Sequence, residues 1–484
     1  MNSHSRPNIL LAISDDQSSM HTAASGARFV ATPAFDRIAR EGVLFNNAFC
    51  SAPQCSPSRA AILTGRNIWQ LEEAGTHWSS FPAKYDVYPE ILEKNGYFAG
   101  FTGKPWAPGD FGQRPRNPAG REFNEIRTVP PAEHISDKDY AENFRDFLSA
   151  RPENTPFVFW YGGHEPHRAY QEGIGFEAGK KLTDVDMRSM PFLPDSDVVR
   201  SDILDYGYEI EWFDLHLSRM IEQLQKIDEL DNTVIVVTSD NGFPFPRAKA
   251  NLYESSMRVP LAIRFPKHIP GNRVIDDIVN LNELAPTFLE FAGVSPHEGM
   301  SSTSLVNVLT SNRSGIVDET RDRTFFGRER HGHARMNHVG YPSRAIRTRE
   351  FLYIRNFASD RWPVGDPPFY GDIDDGPSKT YMIDHRSENS VKELFVLGFE
   401  KRSHEELYEI NKDPGCLVNI ADRPEFSQMK ESLWVDLRAL LSNHGDPRVT
   451  GNGDVWESYP RYGPLKPELA GTAIQGRYNE QYRH

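Results

Sequence analysis

The segment Gln54-Cys55-Ser56-Pro57-Ser58-Arg59 sets a thiol and a guanidinium about one helical turn apart. Ser56 reads as an N-cap and Pro57 as a first helical residue. Cys55 is thereby placed at a helix N-terminus, where the macrodipole favours anions and Arg59 can turn back to the same spot. By residue type alone the thiol is either a buried structural cysteine or a thiolate nucleophile. Two further clusters bear on that choice, Asp15-Asp16 and Asp240-Asn241. Their donors are all hard oxygens, a set that suits Ca²⁺ or Mg²⁺ and disfavours zinc. Singly, each pair is as well explained as a loop cap or an Asn-Gly turn. Together, and beside Cys55, they predict a metal site.

These groups need a scaffold that brings distant positions together. Asn8 to Ser14, Pro156 to Tyr161 and Thr233 to Thr238 are short continuous apolar runs, as expected of strands buried on both faces of a parallel sheet. Each run ends in polar residues: Asp15-Asp16, His164 after two glycines, and Asp240-Asn241. Ligands in open parallel sheets bind beyond the carboxyl ends of strands, so the three ends are expected to converge. Thr32-Pro33 opens a helix with Phe35, Ile38 and Ala39 as its apolar face, stopped by Gly42. Leu217, Met220, Ile221 and Leu224 follow helical spacing. Strands alternating with helices indicate an α/β fold with a mostly parallel sheet flanked by helices. Beyond Asp322 short mixed segments and a Pro/Gly-rich stretch from Pro363 to Pro377 read as a smaller α+β domain. The expected division is 1–322 and 323–484.

A net charge of -14 argues against nucleic acid as a partner. No apolar run approaches the roughly 20 residues of a membrane span, and Met1 to Pro7 do not resemble a secretory signal. Three cysteines (Cys50, Cys55 and Cys416) make no disulfide framework, and a Cys50–Cys55 pair is disfavoured because Cys55 has a better use.

Cys55-Ser56-Pro57-Ser58-Arg59, followed by a small-residue helix and Thr64-Gly65-Arg66, resembles the signature of the type I sulfatases, whose fold is alkaline-phosphatase-like. The likeness continues in order through Pro7-Asn8-Ile9 to Asp15-Asp16-Gln17, Ser239-Asp240-Asn241-Gly242, Lys249 with Asn251-Leu252-Tyr253-Glu254, and Leu407-Tyr408-Glu409 with Asp413-Pro414-Gly415. Within that family, Phe243-Pro244-Phe245-Pro246, His164-Glu165-Pro166-His167-Arg168 and Tyr341-Pro342-Ser343-Arg344 are most similar to the sulfamidases, the N-sulfoglucosamine sulfohydrolases.

The resemblance implies that a maturation enzyme oxidises Cys55 to formylglycine, whose hydrate attacks sulfur. Asp15, Asp16, Asp240, Asn241 and the group derived from Cys55 would hold calcium, or magnesium. Arg59, Lys104 and Lys249 would offset the charge of the sulfate, and Lys249 or His164 would protonate the departing sugar atom. The family pattern Gly-Lys-x-His reads Gly103-Lys104-Pro105-Trp106 here, so a tryptophan stands at the usual histidine and the acid role shifts toward His164 or His167. The expected substrate is a sulfated saccharide. His167, Trp106, Arg328, Arg330, His331 and His333 are its expected contacts, with a solvated loop the alternative for the 328–333 stretch and core packing for the tryptophan. A phosphonate or phosphate-ester hydrolase on the same scaffold and a non-catalytic sulfated-glycan binder remain as alternatives.

Overall fold

The computed structural model describes residues 6–477, so Met1 to Ser5 of the polar lead lie outside the described residues. The large sheet contains eight strands: β1 (Asn8–Ser14), β2 (Val43–Phe49), β3 (Phe98–Gly103), β4 (Arg121–Glu122), β5 (Phe157–Gly162), β6 (Thr233–Ser239), β7 (Leu261–Arg264) and β8 (Arg273–Asn280). Their order is β8-β2-β7-β6-β1-β5-β3-β4. Only β7 runs antiparallel to its neighbours. The alternation of β1 explains why its run is continuously apolar. Ile9, Leu11 and Ile13 enter one core and Leu10 and Ala12 the other. Helices α1 (Pro33–Glu41), α2 (Cys55–Thr64), α3 (Tyr140–Ala150) and α4 (Asp197–Lys226) pack around the sheet. Leu217, Met220, Ile221 and Leu224 of α4 lie in the same core as Phe144 and Phe147 of α3.

Register decides what meets at the carboxyl edge. Ser14 pairs with Ser239, Ile13 with Gly162, and Gly103 with Gly162. The residues after β3, β5, β1 and β6 therefore leave the sheet side by side. Gly103 has φ +76°, and a Cβ there would lie 1.9 Å from the Gly162 carbonyl oxygen. A Cβ on Gly162 would lie 1.8 Å from the Lys104 carbonyl oxygen. These two glycines allow the close approach that delivers Lys104 to the edge.

A second, antiparallel sheet comprises β9 (Arg323–Arg328), β10 (Ser343–Thr348), β11 (Phe351–Asn356) and β12 (Glu405–Glu409). Ile346, Tyr353 and Leu407 pack against Leu433, Leu437 and Leu441 of α5 (Ser427–Asn443). Ala345, Leu352 and Ile354 join the core that holds Ile9. One apolar core thus runs from the large sheet into the small one. Among the described residues no helix is long and apolar enough to cross a membrane.

The cap of α1 differs from the sequence expectation. Thr32 makes no side-chain cap bond. Its hydroxyl accepts from Ala23 N at 2.9 Å and meets Asp36 Oδ1 at 3.1 Å. The helix N–H groups of Ala34 and Phe35 instead donate to the two carboxylate oxygens of Asp214 on α4, each at 2.8 Å. Asp214→Ala is expected to lower stability by about 2 kcal/mol, because two buried donors lose one acceptor group. Thermal melting checks this, and an unchanged transition would show that another group caps α1.

Candidate active site

The helix carrying the thiol starts two residues earlier than its sequence implies. Cys55 is itself the first residue of α2, Gln54 occupies the cap position, and no side chain caps the helix. Ser56 therefore is not the N-cap, and its hydroxyl has no hydrogen-bond partner. Ser58 ties α2 to the metal segment instead, donating to Asp240 O at 2.6 Å. All ten residues of α2 are buried, and Cys50, Cys55 and Cys416 are free thiols.

The Cys55 thiol lies 3.4 Å from Asp15 Oδ1. Burial, and then the charge of Asp15, push it well above the usual thiol range. Burial and Asp15 thus favour the protonated thiol, while Lys104 and Lys249 oppose them.

Asp15, Asp16 and Asp240 bring one carboxylate oxygen each within 4.8 Å of one another. Asp16 makes the turn after β1 with φ 69°, a left-handed conformation that aspartate tolerates. Its backbone N–H donates to Asp240 Oδ1 at 3.1 Å. Asn241 Nδ2 donates to Asp16 Oδ1 at 2.6 Å, while Asn241 Oδ1 is buried with no hydrogen-bond partner. Three clustered carboxylates and an unmatched amide oxygen fit a hard divalent cation. Burial, and then Asp15, push the Asp240 carboxyl up to about 7. A bound cation would reverse that effect.

Three cations flank this cage. Arg59 donates from Nε to Asp240 Oδ2 at 2.7 Å and from Nη1 to Lys104 O at 2.6 Å. It therefore couples the metal segment to the Lys104 turn. Lys104 pairs with Asp15. Lys249 pairs with Asp16 and lies 3.5 Å from Asp374 Oδ2. Burial opposes a charge on either lysine, but Asp15 raises Lys104 and Asp16 with Asp374 raises Lys249 well above the usual range. Both lysines are thereby favoured as charged groups beside the cage.

The two histidines after β5 take different places. His167 Nδ1 lies 2.6 Å from the Arg168 carbonyl oxygen, which requires a proton on Nδ1 and leaves Nε2 for the site. That Nε2 is 3.7 Å from Asp16 Oδ2, and His167 also groups with Asp15 and Cys55. His164 stacks on Tyr140 and approaches Lys138, with Nε2 at 3.5 Å from Nζ. Thus His167, expected as a substrate contact or as the acid, sits against the clustered carboxylates, and His164, the other candidate acid, faces the adjoining cavity.

The other expected saccharide contacts are largely committed elsewhere. Trp106 is wholly buried against Phe81, and its indole N–H donates to Ser56 O at 3.0 Å. It braces the start of α2 and offers no face to a sugar. Arg328 donates to Pro363 O and Asp372 at 2.6 and 2.8 Å. Arg330 donates to Tyr459 O and Pro460 O at 2.7 and 3.0 Å. His333 Nδ1 accepts from Lys466 N at 2.6 Å. The C-terminal segment fastens to Arg330 and His333, and the 363–372 stretch to Arg328, which accounts for the difference from expectation. His331 packs edge-on to His77 with ring centroids 4.5 Å apart. Burial, then His77 and Lys249, hold its ring well below the usual imidazole range.

Asp374 is a site residue that the sequence reading missed. It lies in the Pro/Gly-rich stretch, and its carboxylate groups with Asp16 and His167. Although burial would raise it, Lys249 and then His167 hold it below the usual carboxylate range.

Comparison with known proteins gives the family and the fold. The family model described as Sulfatase matches residues 7–294. The one described as N-sulphoglucosamine sulphohydrolase, C-terminal, matches residues 247–368. The human N-sulphoglucosamine sulphohydrolase is 26% identical over 505 residues, covering 96% of this chain and 95% of that protein. A solved structure of a protein in complex with its substrate D-glucosamine-2-N,6-O-disulfate is similar in fold, with TM-score 0.65 and 23% identity over 92% of this chain and 99% of the other. The phosphonate monoester hydrolase of Agrobacterium radiobacter has TM-score 0.63 and 19% identity over 96% of this chain and 99% of its own. With the family model covering more than half its length and the cage, cations and Cys55 gathered at one sheet edge, the chain belongs to the sulfatase family.

Proposed function

We propose that this enzyme hydrolyses a sulfate ester or sulfamate on a saccharide, using a formylglycine made from Cys55 beside calcium, with magnesium the alternative ion. The observation that carries the reading is the placement of Cys55 among Asp15, Lys104 and His167, at the edge of an oxygen-only cage. Cys55 is 1% exposed, so the maturation enzyme would act before α2 packs.

Asp15, Asp16, Asp240 and Asn241, with the group derived from Cys55, would hold the cation. Bound there, it would offset charge on the sulfate and acidify the hydrated nucleophile. Lys104 and Lys249 stay charged and face the non-bridging oxygens. Arg59 positions Asp240 and the Lys104 turn. His167 carries the proton for the leaving atom on Nε2. The human sulphohydrolase and the disulfate-bound structure support a sulfated aminosugar as the substrate.

The likeness to a phosphonate monoester hydrolase keeps ester hydrolysis at phosphorus as a second reading. Matured enzyme given 4-nitrophenyl sulfate and an aryl phosphonate monoester separates the two. Sulfate turnover should lead by about tenfold or more in kcat/KM. Metal analysis of active enzyme should find calcium or magnesium; zinc, or no metal, would contradict the cage assignment. Preference for the phosphonate would favour the second reading.

A further inference from the structure

A cavity of about 360 Å³ adjoins the catalytic carboxylates. Its lining includes Asp15 and His167, and also Ser136, Lys138, His164 and Glu209. A sulfate group alone does not require that space, which falls within the range of small-ligand sites. The ionic state of its wall is informative. Asp15 is neutralised by Lys104 and Arg59. Arg168 is paired through both terminal nitrogens with Asp202, at 2.7 and 2.6 Å. Glu165 accepts from Ser136 N and the Tyr140 hydroxyl, each at 2.9 Å. Asp137, beside Lys138 in sequence, pairs with Arg127 at 2.6 Å.

Lys138 is what remains. Among the described residues no carboxylate lies within 4.0 Å of its Nζ, and its contact across the cavity wall is the His164 ring. Glu209 supplies a second, independent feature. It is 2% exposed on α4, it lines the cavity, and one carboxyl oxygen has no hydrogen-bond partner. Burial, and then Glu165, push its carboxyl well above the usual range. Asp137, Glu165 and Glu122 act on Lys138 from beyond ion-pair distance, and a half-buried lysine with no carboxylate in contact, sharing a cavity with a buried acid that has an unmatched oxygen, matches a ligand bearing an anion and a hydroxyl.

We propose that this cavity is a subsite for a second anionic group of the saccharide, a sulfate or a carboxylate, held by Lys138 with His164, while Glu209 meets a ring hydroxyl. The inference rests on the sulfatase reading and assigns to this cavity the charge recognition that the buried Arg328 and Arg330 do not provide.

Competition against 4-nitrophenyl sulfate turnover tests it without knowing the natural substrate. The probes are glucosamine N-sulfate, glucosamine N,6-disulfate, and a disaccharide joining N-sulfoglucosamine to a uronic acid. The doubly charged probes should inhibit about tenfold more strongly than the singly charged one, the worth of one charge-assisted contact. Lys138→Ala should erase that advantage and leave kcat/KM for 4-nitrophenyl sulfate within about twofold, which also reports that the variant is folded. Lys138→Glu should invert the preference. The disulfate and uronate arms reveal which anion is read. An equal advantage in Lys138→Ala, or none in the wild type, overturns the subsite alone. No turnover of 4-nitrophenyl sulfate by the matured wild type overturns the sulfatase reading, and the subsite with it.

Discussion

Cys55→Ala should lower sulfate-ester turnover by on the order of 10⁴-fold or more, the scale seen when a nucleophile is deleted from a preorganised site. The fold should survive. The substitution removes one buried sulfur whose polar contact is with Asp15, and such a truncation costs on the order of 1 kcal/mol. Trp106, Ser58 and Arg59 hold α2 through other atoms, at Ser56 O, Asp240 O and Asp240 Oδ2. Intact-mass measurement on the active wild type should show a loss of about 18 Da at Cys55, sulfur and two hydrogens being exchanged for an aldehyde oxygen. Near-normal activity in Cys55→Ala, with an unchanged melting temperature, would remove Cys55 from the chemistry. Full activity with no mass change would instead favour the unmodified thiol, against the pressure of Asp15 and burial to keep it protonated.

The parts of the site that were legible in the sequence are those fixed by strand ends. Asp15-Asp16 and Asp240-Asn241 directly follow continuous apolar runs, and a parallel pairing with Ser14 opposite Ser239 brings them together. Lys104 was legible only through the Gly103-Lys104 resemblance, and the strand Phe98–Gly103 that delivers it to the same edge was not read from the sequence. The fold class was legible for a related reason: runs that are apolar at every position must be covered on both faces.

Contacts made by returning loops were not legible. Asp374 reaches Lys249 from a Pro/Gly-rich stretch with no periodicity, so nothing in its neighbours announces the role. Arg328, Arg330 and His333 looked like a free cationic array because the sequence does not say that the 363–372 stretch returns to Arg328 and residues 459–466 to Arg330 and His333. The cap of α1 is of the same kind. Thr32-Pro33 is a good local signal, yet Asp214, far along the chain, supplies the carboxylate. Local patterns specify which element forms; long-range polar contacts depend on topology that the patterns do not contain.

The His164–His167 exchange has this origin too and leads to the second large effect. Both follow a buried strand, and spacing alone does not rank them. The Arg168 carbonyl holds His167 Nδ1 and directs Nε2 to the carboxylates, whereas His164 stacks on Tyr140. If His167 is the acid, His167→Asn should cost about 10³-fold in kcat on a saccharide sulfate or sulfamate, within the range for general acid catalysis. The sugar oxygen or nitrogen departs badly without a proton. 4-Nitrophenyl sulfate leaves as a stabilised phenolate and needs little help, so the same variant should retain activity on it within about tenfold. The ratio of the two losses is the informative quantity. Should both substrates fall together, His167 acts on the nucleophile or the cation cage, consistent with its grouping with Asp15 and Cys55, and the leaving-group proton must come from elsewhere. Lys249, which pairs with Asp16 and lies 3.5 Å from Asp374 Oδ2, is then the next group to substitute.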